Sequence, residues 1–389
     1  MRAQPGHRLL FLLLPLLLAA GMPLIWFGRR DPKPPELAPG LTYSHRIDPR
    51  GPWSIHVVTL DLDRDEYRLA APLALGEVFG LSPVSQQAIA LRTEQYEPWA
   101  AVNGDFFRIQ PGPYQGDMLG LKISGGELIS SPAVAAFWIQ PDGQPRIGPV
   151  RSRISVAWGE PEAASLRVGL NQPRADSRAV LYTPALGPST RAPAGGVELV
   201  LAAAGGEPLP PLRPGASIEA VVAEITGDGD APMPEGGMVL SIGPDRAMNL
   251  PEPAPGMALR IDVATTPDLA GVETAIGGGP ILVAAGRVRP SGRNPGRDQR
   301  HPRTAVGFNR GRLFLVAVDG RQPRLSVGMS ERELADLMAD LGADYALNLD
   351  GGGSTTLWLA GRVINSPSGL LERPVANSLV ILRRADEVQ

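Results

Sequence analysis

The densest cluster of residues able to do chemistry is NLDGGGSTT, Asn348 to Thr356. Asp350 stands where an apolar strand ends, so its carboxylate is placed to act as a general acid or base. Gly351, Gly352 and Gly353 let the chain turn with positive φ and approach a ligand closely. Successive N–H groups in such a turn can make an anion-binding nest, and Ser354, Thr355 and Thr356 follow with three hydroxyls. The combination suits an anionic or polyhydroxylated ligand, although a glycine-rich hairpin capped by Asp would use the same residues. It is not a Walker loop, because the G-K-[ST] lysine and a following helix are missing.

Four further motifs carry polar groups at strand ends. HPRTAVG (His301 to Gly307) puts Arg303 just before a strand, where a guanidinium could hold a phosphate or carboxylate bidentately. His301 reads better as structural or exposed. VDGRQP (Val318 to Pro323) contains Asp319-Gly320, an ordinary turn signal that gains interest from lying between Arg303 and Asp350. NGDFF (Asn103 to Phe107) could set Asn103 and Asp105 over a sugar face, or be a turn anchored by two core Phe. GGGP (Gly277 to Pro280), with Gly278 at its centre, suggests close backbone approach before an apolar strand.

The elements that must position these groups are mostly strands. Residues 53 to 71 alternate apolar and polar and predict paired strands. Ser82-Pro83 predicts a helix to about Gln95, with Ser as N-cap and Pro at the first helical position. Residues 115 to 150 carry short apolar runs separated by GG and DG, which are hairpin signals. Residues 151 to 270 are rich in Pro, Gly and Ala, with strand candidates at Val197 to Ala203 and Ile218 to Ile225. They read as a β-rich insertion, or equally as more strands of the same sheet. Ser330 to Leu341 is the clearest helix: Ser330 and Glu333 form a capping box, and Leu334, Leu337, Met338 and Leu341 follow the helical stripe. The fold class expected is α+β, a twisted, mostly antiparallel or mixed sheet flanked by a few helices.

Composition narrows the chemistry. The 389 residues include no cysteine, which removes disulfides, thiolate nucleophiles and Cys-ligated metals. The four His are far apart in sequence, so a multi-His metal site is not expected, while Asp and Asn oxygens would suit Ca²⁺ or Mg²⁺. The formal charge of −3 argues against a nucleic-acid partner. Of the 37 basic residues only Lys33 and Lys122 are lysines, so an anion site here is expected to use Arg forks. Residues 9 to 27 are nineteen without a charge. Their length suits a membrane anchor, and their basic start and small residues suit a signal peptide. Residues 1–28 are therefore read as export or anchoring segment and 29–40 as an extended Pro-rich linker. The working part begins near residue 41 and is expected on the periplasmic or exterior face.

Taken together and in order, NGDFF, GGGP, RTAVG, VDGR, GMSERELA and NLDGGGSTT, with SGLLERPVAN beyond, resemble the phosphodiester glycosidase family over roughly residues 41 to 385. The family usually reads N-G-G-F-F, and here Asp105 replaces the second Gly. The resemblance implies removal of a sugar, such as N-acetylglucosamine, from a sugar-1-phosphodiester on a glycan or envelope polymer. It is similar to bacterial members described with exopolysaccharides, and implies no required cofactor. In that reaction Arg303 and the Gly351–Thr355 turn would face the phosphate. Asp350 is the first choice for the reacting carboxylate and Asp319 the second. Asn103, Asp105, Gly278 and Asn348 would line the sugar side. A non-catalytic glycan-binding module and a phosphodiesterase cutting P–O are the competing readings.

Overall fold

The computed structural model describes residues 36–131, 135–158, 164–248, 250, 252–289 and 299–385. The apolar run at 9–27, the linker up to residue 35 and the stretch 290–298 lie outside the described residues. Among the described residues no helix is long and apolar enough to cross a membrane.

An antiparallel sheet of eight strands forms the centre. Its order is Glu36–Ala38, Leu41–Asp48, Trp53–Asp61, Arg312–Val318, Arg303–Phe308, Tyr345–Asn348, Ile281–Ala284 and Arg287–Val288. The central strands read as continuous apolar runs because both faces are covered. On one face lies the helix Glu331–Asp340, whose Leu334, Leu337 and Met338 pack on Ile55, Phe314 and Val316. Its predicted capping box is present: the Glu333 amide donates to Ser330 Oγ at 3.2 Å, and the Ser330 amide donates to Glu333 Oε2 at 2.9 Å. The other face packs on two five-stranded sheets.

One of these has the order Arg362–Val363, Leu357–Leu359, Tyr96–Asn103, Ser378–Arg384 and Tyr67–Ala70. Alternation along Tyr96–Asn103 sends Ala100 and Val102 toward the eight-stranded sheet and Ala101 to the opposite side, where the helix Val84–Ala90 packs. The second has the order Glu127–Ser130, Lys122–Ser124, Thr274–Gly278, Ala135–Ile139 and Pro145–Pro149. Its far face, with Leu121, Ile123 and Trp138, continues into the core of a closed seven-stranded barrel. The barrel runs from Arg151–Trp158 to Ala258–Thr266, and Val197–Ala202 and Ser217–Thr226 pair within it. The described residues of barrel and sheets belong to one compact unit.

Three expectations change. Trp53–Asp61 and Tyr67–Ala70 do not pair with each other; they belong to different sheets. Local alternation marks strands but carries no information on partners. Ser82 is not a helix cap: its main chain pairs with Val375, and the helix is confined to Val84–Ala90 behind Pro83, short of Gln95. The linker's last residues are not free either, because Glu36–Ala38 turns at Gly40 (φ 74°) and pairs with the next strand.

Candidate active site

Antiparallel pairing collects the motifs at one edge of the central sheet. Arg303 opposes Val318, and Ala305 opposes Asn348. The start of one strand therefore meets the ends of its two neighbours. Asn103, the last residue of Tyr96–Asn103, joins them from the adjoining sheet: its Nδ2 donates to the Asp350 carbonyl at 2.6 Å. Its Oδ1 accepts from Thr304 Oγ1 at 2.7 Å and the Thr356 amide at 3.1 Å. Asn103 thus acts as a clamp between sheets, with its Oδ1 engaged twice and its Nδ2 once.

Asp350 is the half-buried carboxylate of the edge. Its amide donates to the Gly104 carbonyl at 2.9 Å, and its Oδ1 accepts the Gly351 amide at 2.8 Å. Burial pushes its carboxyl up to about 6; hydrogen bonds from Ser354 and Gly351 and the charges of Arg373 and Arg321 only partly oppose that. Asp105 lies close enough to feel Asp350. Burial first, and the Asp350 charge in addition, push it up to about 7, against the Phe106 and Gly120 amides and Lys122. Asp105 Oδ1 accepts the Phe106 amide at 2.8 Å, while Oδ2 faces Gly120 without a hydrogen bond of good geometry. A Cβ on Gly277 would stand 2.6 Å from that oxygen and one on Gly120 2.5 Å, so both glycines are required for the carboxyl to fit. Lys122 is buried as well, and burial brings its ammonium down to about 7, opposed by Asp105.

The glycine turn is not an open nest. The Gly352 amide donates to the Pro302 carbonyl, Ser354 to Gly351 and Thr355 to Gly352, at 2.9, 3.1 and 3.3 Å. With Gly351 held by the Asp350 side chain, four of these amides are satisfied within the chain. The glycines serve packing instead: Arg373 lies over Gly353, where a Cβ would stand 2.1 Å from its Nη2, and Arg321 lies over Gly352. Arg373 Nη1 reaches Ser354 Oγ at 3.4 Å. Arg321 holds a left-handed φ of 60° and its Nη2 is 3.4 Å from His301 Nδ1. These two guanidinium groups, not Arg303, carry the positive charge beside Asp350.

Arg303 is buried and committed elsewhere. Its Nε and Nη2 donate to the carbonyls of Met329 and Gln299 at 2.8 and 3.1 Å, and its Nη1 is 3.9 Å from Glu331. Asp319 is committed too. Its Oδ2 accepts from Ser54 Oγ at 2.8 Å and lies 3.0 Å from His56 Nε2; its Oδ1 accepts from Asn365 Nδ2 at 3.1 Å and the Ser366 amide at 2.8 Å. Burial acts to raise the Asp319 carboxyl, but His56, Ser54 and Ser366 outweigh it and hold it below its ordinary value. With each oxygen engaged twice, Asp319 is a strut. Gly278 brings its strand against the Asn348 carbonyl, 2.6 Å from where a Cβ would be. Asn348 Nδ2 donates to the Gly279 carbonyl at 2.8 Å, whereas Asn348 Oδ1 and Thr355 Oγ1, both buried, make no hydrogen bond within the protein.

Residues 216–382 match the model of the phosphodiester glycosidase family. This stretch is similar to a phosphodiester glycosidase domain. The matched stretch contains Asp319, Arg321, Asp350 and Arg373; Asn103 and Asp105 come from outside it. An uncharacterized SPbeta prophage-derived protein of Bacillus subtilis (strain 168), YomE, is 39% identical over 83 residues, 21% of this chain and 13% of that protein. A hypothetical protein from Synechocystis shares the fold with TM-score 0.70 at 24% identity, over 89% of this chain and 62% of its own. A candidate exported protein of Burkholderia pseudomallei K96243 gives 0.67 at 25% identity, over 85% and 74%.

Sequence reasoning passed over Arg321 and Arg373. Both stand in quoted motifs, VDGRQP and SGLLERPVAN, but nothing local separates them from the other arginines. Among the described residues no cluster of three or more His, Asp or Glu is placed to hold a metal ion. Two clefts, of about 1490 and 520 Å³, open elsewhere, and neither is lined by Asp105, Asp350, Arg321 or Arg373.

The raised Asp105 carboxyl has a consequence for stability. The unfolded chain ionises it near 3.8, the folded chain only near 7. Stability present below the lower value is therefore lost as pH rises toward the upper one, by up to about 4 kcal/mol. Asp105→Asn, which keeps an oxygen for the Phe106 amide, is expected to raise the melting temperature by a few degrees at pH 8 and not at pH 4. Equal shifts at both pH values would contradict a carboxyl held protonated by burial.

Proposed function

We propose that the site hydrolyses the glycosidic C1–O bond of a sugar-1-phosphodiester. The observation that carries this reading is Asp350, a half-buried carboxylate flanked by Arg321 and Arg373. Such a bond breaks through an oxocarbenium-like state. A phosphate monoester is a good leaving group, so the site needs less acid assistance than an alkyl glycoside would. It needs anion binding and one carboxylate at C1. Arg321 and Arg373 supply the first, with guanidinium forks matched to phosphate. Asp350 supplies the second, attacking C1 or activating water. Burial pushes the Asp105 carboxyl higher than that of Asp350, so as pH rises Asp350 ionises first.

The substrate side of the reading is a sugar such as N-acetylglucosamine on a phosphoglycan or envelope polymer. An extracytoplasmic location fits the apolar run at 9–27 and the exported name of the Burkholderia neighbour. No cofactor enters the reaction as written.

The test incubates the whole chain with a panel of sugar-1-phosphodiesters and reads products by mass spectrometry. Free sugar plus phosphomonoester supports the reading. Sugar-1-phosphate would move the cut to P–O, and binding without turnover would make the protein a glycan-binding module. Removing one charged phosphate contact should cost about 10- to 100-fold in kcat/KM. Arg373→Ala is expected in that range, with Arg373→Lys recovering only part. An unchanged kcat/KM in Arg373→Ala would take the phosphate away from this arginine.

A further inference from the structure

At one rim of the barrel, four strand ends converge. Arg151–Trp158 begins there, Ala164–Leu170 ends there, Ala179–Tyr182 begins there, and the short helix Pro244–Ala247 follows Met238–Ile242. Antiparallel pairing of Ile154 with Val168 and of Ala179 with Ile242 fixes this meeting. The convergence leaves a cleft of about 520 Å³ lined by Arg151, Arg167, Arg178 and Arg246, with Ser152 and Gln172 between them. All four arginines are exposed, and none makes a side-chain hydrogen bond or ion pair among the described residues. Among the described residues the lining contains no Asp or Glu, although the whole chain carries a net charge of −3.

Four unneutralised guanidinium groups in one concavity repel one another, and an anion entering it relieves that repulsion. Planar forks suit carboxylate, sulfate or phosphate oxygens. Ser and Gln between them suit hydroxyls. Among the described residues the lining has no aromatic ring on which a base could stack, which disfavours single-stranded nucleic acid. The volume is that of a site for a small ligand or a few residues of a chain. From this we infer that the barrel rim is a second binding site, for an anionic oligosaccharide. The site is separate from Asp350 and does not depend on the reading of that carboxylate.

The test measures binding of the whole chain to a galacturonic-acid hexasaccharide, to maltohexaose and to a six-nucleotide single-stranded DNA. Wild type should bind the acidic glycan, more weakly as salt rises, and bind the neutral glycan and the DNA less tightly. The double variants Arg151→Ser/Arg178→Ser and Arg167→Ser/Arg246→Ser should each lose at least about tenfold in affinity. Circular dichroism melts of these surface variants should match wild type. Arg373→Ala should retain binding, which separates this site from the one at Asp350. The inference is overturned by no binding of the acidic glycan, by equal binding of maltohexaose, by tighter binding of the DNA, by unchanged affinity in both rim variants, or by loss confined to Arg373→Ala.

Discussion

Asp350→Asn is expected to lower kcat by about 10²- to 10⁴-fold, the range for losing a positioned acid–base group. The amide keeps an acceptor for the Gly351 amide, so the turn and substrate binding should survive. In wild type, kcat should rise with pH through about 6, where Asp350 ionises. That limb should vanish from the residual activity of Asp350→Asn. The comparison that decides the assignment is Asp319→Asn. An equal loss there, in a protein that melts like wild type, would return the reacting carboxylate to Asp319.

The second large effect concerns the fold. Asp319→Ala leaves Ser54, His56, Asn365 and the Ser366 amide without their acceptor in a buried place. Breaking such a network should cost about 3–5 kcal/mol. Urea unfolding should show this as a lower midpoint with an unchanged slope. A midpoint equal to wild type would mean that the network is replaced without loss. The same group gives an acid limb. Its folded carboxyl is held below the ordinary 3.8. The stability it contributes is therefore full above that value and is lost as pH falls toward the lower one. Asp319→Ala should flatten this limb, whereas Asp105→Asn should flatten the opposite trend between pH 4 and 7.

Much of the site's skeleton is legible in the residues. The helix Glu331–Asp340 follows from its cap and its apolar stripe, both of which act within a dozen residues. The strands ending at Asn103 and Asn348 follow from apolar runs closed by polar and glycine residues. What escaped reading is the use of each polar group. NGDFF read either as a sugar platform or as a turn anchored by core Phe; Asn103 clamps two sheets and Phe107 packs in a core, as in the second reading. GGGSTT looked like an anion nest, yet the Gly351, Gly352, Ser354 and Thr355 amides donate to the Asp350 side chain, to the Pro302 carbonyl and to carbonyls of the turn itself. Arg303 looked like a phosphate grip, yet its fork is filled by two carbonyls. In each case the competing hydrogen-bond partner comes from a distant part of the chain or from a turn whose shape packing decides.

The sequence by itself determined the element types, the absence of thiol chemistry, the preference for Arg at anion sites and the carboxylate at the end of a strand. These depend on composition and on contacts only a few residues apart. Only the tertiary structure decided that Asp105 and Asp350 share one buried place, that Asp319 is saturated and that Arg321 and Arg373 hold the positive charge. The reason is physical. A carboxyl's charge and a guanidinium's freedom depend on desolvation and on partners. The Asp105 carboxyl is set in its buried place by its own main chain, whose amide donates to Asn377 Oδ1, a residue brought from the far end of the sequence by antiparallel pairing of Tyr96–Asn103 with Ser378–Arg384.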